Sequence, residues 1–164
     1  MTVAEFLSVK GKHSVAMEYY WVILNRTFLT FLTNDSLIGL KVGGPVSVEG
    51  GRDPLTRAIT GTMAVKGDLN NPYSYIKTSY AAKYENVDFN AESMRAMDNS
   101  NFAIAYKDIA GVHFNPNKKW GMGPYPHDGR VLVTHKDGSK REFIILGTKS
   151  GESVCNSIAQ LANC

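Results

Sequence analysis

The sequence predicts a mainly β (β-rich α+β) fold: a bent antiparallel sheet or partly open barrel of about seven strands, capped by a C-terminal helix. Two observations in the last third of the chain support this, a hairpin signal and a change of hydrophobic period. Residues 130–135 (RVLVTH) and 141–146 (REFIIL) are β-branched runs on either side of Lys-Asp-Gly-Ser at 136–139. Asp-Gly between two such runs favours a tight hairpin, because glycine accepts the positive φ that the turn demands.

The change of period follows Gly147. Val154, Ile158 and Leu161 recur at intervals of three and four residues. This spacing is typical of one face of a helix. We therefore expect a helix over about residues 151–162, with these three side chains buried against the sheet.

Strands are also expected earlier, where aromatic and β-branched residues are frequent. Residues 27–33 (TFLTFLT) place Phe28 and Thr30 on one face and Leu29 and Phe31 on the other. Asn-Asp at 34–35 separates this run from residues 36–42, which indicates a second hairpin with a two-residue connection. The remaining expected strands cover residues 5–18 (as one or two strands), 20–25, 58–66, 102–106 and 109–112.

Residues 67–100 are expected to form a helical insertion between strands. A helix over about residues 74–84 would place three large side chains on one face, those of Ile76, Tyr80 and Tyr84. A second short helix is expected over residues 90–97, because Asn is a favourable N-cap residue at its start.

Length and composition indicate a single globular domain over residues 1–164. Hydrophobic residues make up 43% and charged residues 20% of the chain, which excludes global disorder. The net charge is +3, and the whole basic excess lies in residues 101–164. This excess is too small to indicate a nucleic-acid binder, whose domain pI is usually above about 9. It is compatible with a protein partner or an anionic membrane surface, and it leaves open whether the chain forms a homo-oligomer.

The two cysteines, Cys155 and Cys164, lie in or just beyond the predicted last helix. Nine residues of helix separate Cα atoms by roughly 13 Å, which is beyond disulfide reach. They are therefore expected to be free thiols in a reducing compartment. No signal peptide is visible at the start of the sequence. We expect a cytoplasmic protein, either free or peripheral to the inner face of the membrane.

No catalytic, cofactor or metal site is predicted. Gly121-Met-Gly123 does not continue into a dinucleotide fingerprint, and no Walker sequence is present. The four histidines show no metal-binding spacing. If the strands around residues 106–114 and 131–135 pair, His113 and His135 approach each other, although two such residues on a sheet are usually surface residues. Cys155 has no histidine close in sequence to act as its base.

The candidate binding segment is residues 114–128 (FNPNKKWGMGPYPHD), a long loop rich in aromatic and basic residues. Loops of this kind often carry binding functions on a rigid scaffold. Two interpretations stay open: a mobile binding element led by its lysines, or an ordered flap with Trp120 filling the core. We favour the flap, held by its two large aromatics. The candidate ligand- or partner-binding residues are Lys118, Lys119, Trp120, Tyr125, His127 and Arg130.

Residues 31–40 (FLTNDSLIGL) resemble the T-(N/D)-x-x-L hairpin of bacterial pleckstrin-homology-like (PH-like) domains. Residues 106–109 (YKDI), Asp137-Gly138 and residues 141–143 (REF) resemble the later strands of that family. The resemblance covers about residues 28–45 and 101–162. It implies a strongly bent seven-stranded sheet with a helix plugging one end.

The resemblance also implies a non-enzymatic module that binds phosphoinositides, peptides or other proteins, with no shared catalytic residues and no cofactor. The insertion at 67–100 departs from the family's usual short strand connections. The alternative interpretation is a lipocalin-like or START-like cup that sequesters a small molecule in an internal cavity.

Overall fold

The computed structural model describes residues 11–20, 24–43, 70–76, 78–84, 91–120, 122 and 126–164. In this part of the chain, seven antiparallel strands form one open, unclosed sheet. The strands are β1 (His13–Tyr19), β2 (Asn25–Leu32), β3 (Ser36–Gly43), β4 (Phe102–Ala105), β5 (Ile109–Asn115), β6 (Arg130–His135) and β7 (Lys140–Ile145). The helices are α1 (Thr78–Tyr84), α2 (Ala91–Met97) and α3 (Gly151–Ala162), with 3-10 turns at Pro72–Tyr75 and Tyr106–Asp108. The predicted mainly β fold with a C-terminal helix is confirmed.

The strand order is β4-β3-β2-β1-β7-β6-β5. Strand β7 joins the two halves of the sheet, because Lys140, Arg141 and Phe143 lie opposite β6 whereas Ile144 and Ile145 lie opposite β1. The edge strands β4 and β5 are connected along the chain by the 3-10 turn at Tyr106–Asp108. The sheet therefore bends between its two halves and does not close.

Strands β1 to β3 are buried on both faces. One face, with α1 and α2, forms the α1–α2 core: Val15, Met17, Leu29, Phe31, Ile38, Leu40, Val42, Tyr84, Met94, Met122, Ile144 and Leu146. The other face, with β4 to β7 and α3, forms the α3 core: Ala16, Phe28, Leu32, Leu37, Phe102, Ile104, Tyr106, Ile109, Val131, Val133, Phe143, Ile145, Val154, Cys155 and Ile158. Phe28 lies on the opposite face of β2 from Leu29 and Phe31, which confirms the prediction. Successive side chains of a strand point to opposite faces.

The helical insertion is confirmed, although its first helix begins later than expected, at Thr78, after the 3-10 turn at Pro72–Tyr75. Its packing depends on Asn101, which is buried. The Asn101 side chain accepts hydrogen bonds from the Lys41 amide at 2.8 Å and the Tyr84 hydroxyl at 3.1 Å, and donates to the Met94 carbonyl at 2.7 Å. This single amide therefore links β3, α1 and α2.

Both predicted hairpins are present. Asn34 and Asp35 lie between β2 and β3. Gly138, in the β6–β7 turn, has φ +86°, a conformation that favours glycine. The carboxylate of Asp137 accepts hydrogen bonds from the amide and hydroxyl of Ser139, which lower the pKa of Asp137.

Helix α3 matches the prediction except at Leu161. Val154 and Ile158 are buried, but Leu161 is 38% exposed, so the expectation that it is buried was wrong. Ala162 packs against the α3 core instead, leaving Leu161 at the margin of the buried face. Ser150 caps the helix by accepting from the Ser153 amide at 3.3 Å, as serine does at many helix N-termini.

The other expectations differ in their outcome. Of the strand expected at residues 20–25, Tyr20 and Leu24 lie outside any strand and are joined by a backbone hydrogen bond of 3.0 Å, and Asn25 begins β2. Residues 21–23 lie outside the described part of the chain. The strand expected at 58–66, and the first part of the one expected at 5–18, lie outside the described residues.

Among the helices that are described, none has the length and hydropathy needed to cross a membrane.

Candidate functional site

The loop that joins β5 to β6, residues 116–129, is here called the β5–β6 loop. The strands on either side of it are paired neighbours, with Asn115 opposite Arg130. The loop is far longer than an ordinary hairpin connection of about two to five residues. Its described residues are held to the sheet and to α3 at three places.

The first attachment is Glu142, on β7. Its carboxylate accepts a hydrogen bond from the Lys119 ammonium at 2.6 Å and another from the Arg130 guanidinium at 3.2 Å. Arg130 also donates through Nε to the Asn117 carbonyl at 3.1 Å. The Lys119 ammonium lies 5.5 Å from the ring centroid of Tyr19. Two of the basic residues expected to bind a partner are thus engaged within the protein.

The second attachment is in the middle of the loop. Met122 is buried in the α1–α2 core, and the Tyr19 hydroxyl donates to its sulfur at 3.4 Å. Burial raises the pKa of Tyr19. His127 is also buried, and its Nε2 accepts a hydrogen bond from the Lys119 amide at 3.2 Å. This bond joins the outgoing and returning arms of the loop.

The third attachment is at the start of α3. The Asp128 carboxylate accepts from the Gly151 amide at 2.9 Å and from the Ser150 hydroxyl at 2.9 Å. A carboxylate at a helix N-terminus is stabilised by the helix dipole and the unpaired amides there. The Pro126 carbonyl accepts from the Gly147 amide at 3.0 Å. The returning arm is therefore fixed to the segment that leads into α3.

Trp120 projects away from this anchored framework. Its side chain is 88% exposed, so the expectation that it fills the core was wrong. Met122, two residues later in the chain, occupies the buried position in the α1–α2 core instead. Lys118 is exposed as well. We call Lys118 and Trp120 the exposed pair.

The structure thus separates the predicted site residues into two groups. One group holds the loop in place through hydrogen bonds and consists of Lys119, His127 and Arg130. The other group, the exposed pair, faces solvent. Tyr125 lies outside the described residues. Sequence reasoning missed Met122, Asp128 and Glu142. Only Met122 carried a usable signal, as the apolar residue between two glycines.

The described histidines and cysteines do not form a catalytic or metal-binding cluster. His113 lies opposite Leu132 and His135 opposite Ile109, so the pairing of β5 and β6 does not bring these histidines together. In the described part of the chain, no three His, Cys, Asp or Glu residues are grouped so as to hold a metal ion. Both cysteines are free, as predicted. Burial raises the pKa of the Cys155 thiol, which makes it a poor nucleophile at neutral pH.

No protein-family model, curated protein or solved structure matches this chain. The geometry of the β5–β6 loop is therefore the basis for assigning a function.

Proposed function

We propose that this chain is a non-enzymatic binding module of the PH-like kind, which engages an anionic membrane surface through Lys118 and Trp120. The observation that carries the proposal is the 88% exposure of Trp120 on a loop whose described arms are anchored to the sheet and to α3. An indole with an apolar body and one N–H donor suits the boundary between water and lipid. The neighbouring lysine adds attraction to anionic headgroups.

The anchoring of the loop supports the proposal on energetic grounds. Ordering a flexible loop on binding costs conformational entropy, and that cost lowers affinity. Met122, His127 and Asp128 already fix the described arms of the β5–β6 loop in the free protein. Trp120 is presented from this framework, so much of the ordering cost is met during folding.

The fold supports the same proposal. One open sheet of seven antiparallel strands with a C-terminal helix agrees with the architecture that the PH-like resemblance implies. The alternative, a cup that sequesters a small molecule, needs free space inside the bend of the sheet. Phe102 is buried there between Phe28 and Phe143, with its ring centroid 5.2 Å from that of Phe28 and 5.4 Å from that of Phe143. Their packing favours a solid binding module over a carrier.

The test is co-sedimentation with vesicles of phosphatidylcholine, with and without phosphatidylserine, at low and high salt. We expect binding to the anionic vesicles that weakens as salt screens the charges. Trp120→Ala and Lys118→Ala should each reduce the bound fraction several-fold. The matched controls are Tyr20→Ala, an aromatic that is 46% exposed elsewhere, and Lys136→Ala, an exposed lysine in the β6–β7 turn. Both controls should bind as the parent does.

Trp120 fluorescence gives a second readout. Its emission should shift to shorter wavelength with anionic vesicles, and this shift should be lost in Trp120→Phe. Equal binding by all variants, or equal binding to neutral vesicles, would overturn the membrane assignment. Binding to a protein that depends on Trp120, with no binding to vesicles, would assign the exposed pair to a protein partner.

A further inference from the structure

A pocket of about 210 Å³ lies between the start of β1, the 3-10 turn at Pro72–Tyr75 and the connection from β7 to α3. Its polar lining is contributed by Ser14, Asn70, Asn71, Tyr73, Thr148 and Lys149. None of these residues belongs to the β5–β6 loop. The pocket is therefore separate from the site proposed for membrane binding.

The charged group in this pocket is Lys149. Its ammonium donates hydrogen bonds to the backbone carbonyls of Gly11 at 2.9 Å and His13 at 2.8 Å. A lysine has three N–H donors, and the described residues accept from two of them. Among the described residues, no carboxylate lies within 4.0 Å of this ammonium. Burial lowers the pKa of Lys149, because partial removal from water disfavours its charged form.

The side chains that surround the Lys149 ammonium in this pocket are mainly neutral hydrogen-bonding groups. The Tyr73 hydroxyl lies 2.6 Å from Nδ1 of His13, and the Tyr73 amide donates to the Asn71 side-chain oxygen at 3.2 Å. Thr148 is exposed at the rim, where its hydroxyl can reach a ligand. Tyr73 and its turn are thus held in place beside the ammonium.

The volume limits the ligand. Liquid water occupies about 30 Å³ per molecule, so the pocket has the volume of roughly seven waters. Drug-sized ligands need pockets of about 300–1,000 Å³. A single phosphate or a short carboxylic acid is of suitable size.

We infer that this pocket binds a small anion, through a phosphate or carboxylate group, with the Lys149 ammonium as its ion-pair partner. The Thr148 hydroxyl donates a hydrogen bond to the same group, as does the Tyr73 hydroxyl when it accepts from Nδ1–H of His13. An anion there would provide the countercharge that the described protein groups do not supply. Hydrogen bonds between an ammonium and such oxygens are among the stronger ones in proteins.

The inference is tested by titrating the ¹⁵N-labelled full chain with inorganic phosphate, and separately with acetate, at constant ionic strength set with chloride. We expect saturable amide shifts in the millimolar range, concentrated at Asn71, Thr148 and Lys149. Lys149→Met should weaken binding at least about tenfold, because it removes the charge and keeps the aliphatic stem. The matched control is Lys136→Met in the exposed β6–β7 turn, which should bind as the parent does.

Because Lys149 also binds the backbone carbonyls of Gly11 and His13 at the start of β1, a second variant separates binding from folding. Thr148→Val alters only a rim hydroxyl and should weaken phosphate binding several-fold with an unchanged melting temperature. Shifts that do not saturate, shifts located elsewhere, or unchanged affinity in both variants would overturn the inference. If Thr148→Val still binds vesicles, the pocket binds free anions. If Thr148→Val loses both phosphate binding and vesicle binding, the pocket binds lipid headgroups.

Discussion

The guanidinium of Arg141 lies over the ring of Phe102, with its central carbon 3.7 Å from the ring centroid. The same guanidinium donates two hydrogen bonds, of 2.7 and 2.6 Å, to the carboxylate of Glu18. These contacts join β7 to β4, which is an edge strand, and to β1. The Arg141–Phe102 contact therefore stabilises the bend of the sheet by joining β7 and β4, which share no backbone ladder.

Arg141→Lys should lower the free energy of unfolding by about 1–3 kcal/mol, although the charge is kept. An ammonium cannot stack flat on Phe102 while it binds both oxygens of Glu18. Urea denaturation measures the loss. Arg95→Lys, at an exposed position in α2, is the control and should change little. A double-mutant cycle with Glu18→Gln should show coupling, and strict additivity would contradict the bidentate pair.

Gly39→Ala should also destabilise the protein, by about 1–3 kcal/mol through overpacking. A Cβ at Gly39 would overlap the ring of Phe102, which is buried and has little room to move. Gly111→Ala is the matched control in β5, because a Cβ there would meet nothing within 4 Å. Thermal unfolding should show a lower melting temperature for Gly39→Ala alone. Equal melting temperatures for the two variants would rule out the predicted clash.

Met122→Ala should cost about 2–5 kcal/mol, as large-to-small changes in a core do. Met122 is 2% exposed, whereas Trp120 is 88% exposed. Trp120→Ala should therefore stay within about 0.5 kcal/mol of the parent. Chemical denaturation of both variants measures the difference, and a large loss for Trp120→Ala would argue against its solvent-exposed position.

Ile158→Ala should cost about 2–5 kcal/mol, because this side chain is buried in the α3 core. Leu161→Ala, one turn later in the same helix, should cost about 1 kcal/mol or less, because Leu161 is 38% exposed. The melting temperatures of the two variants show how much stability is lost at a buried and at a partly exposed position of the same helix. A similar loss at both positions would contradict the assigned face of α3.

Stability should fall as pH rises above 10.0, the ordinary pKa of a tyrosine. Burial, with the nearby Asp35 carboxylate, raises the pKa of Tyr106 well above that value. The folded chain then keeps the proton that the unfolded chain releases, so unfolding becomes easier by up to about 1.4 kcal/mol per pH unit. Tyr106→Phe should make this slope shallower. Denaturation curves at several alkaline pH values test this, and an unchanged slope would contradict it.

Local signals in the sequence determined much of the secondary structure. Asp-Gly at 137–138 and Asn-Asp at 34–35 fixed two hairpins, because turn geometry depends on the φ and ψ preferences of a few adjacent residues. The spacing of Val154 and Ile158 fixed α3, because a helix repeats its face every three to four residues. The candidate loop was also located from sequence, from its length and its aromatic and basic residues.

Only the tertiary structure decided how these elements meet. The pairing of β7 with β1, and of Arg141 with Glu18, joins residues more than a hundred positions apart. No local preference specifies such contacts, because they depend on the burial gained when the whole sheet forms. The same holds inside the β5–β6 loop. Its composition indicated that an apolar side chain would anchor it. Whether Trp120 or Met122 did so depended on which position of the loop meets the α1–α2 core in the folded protein.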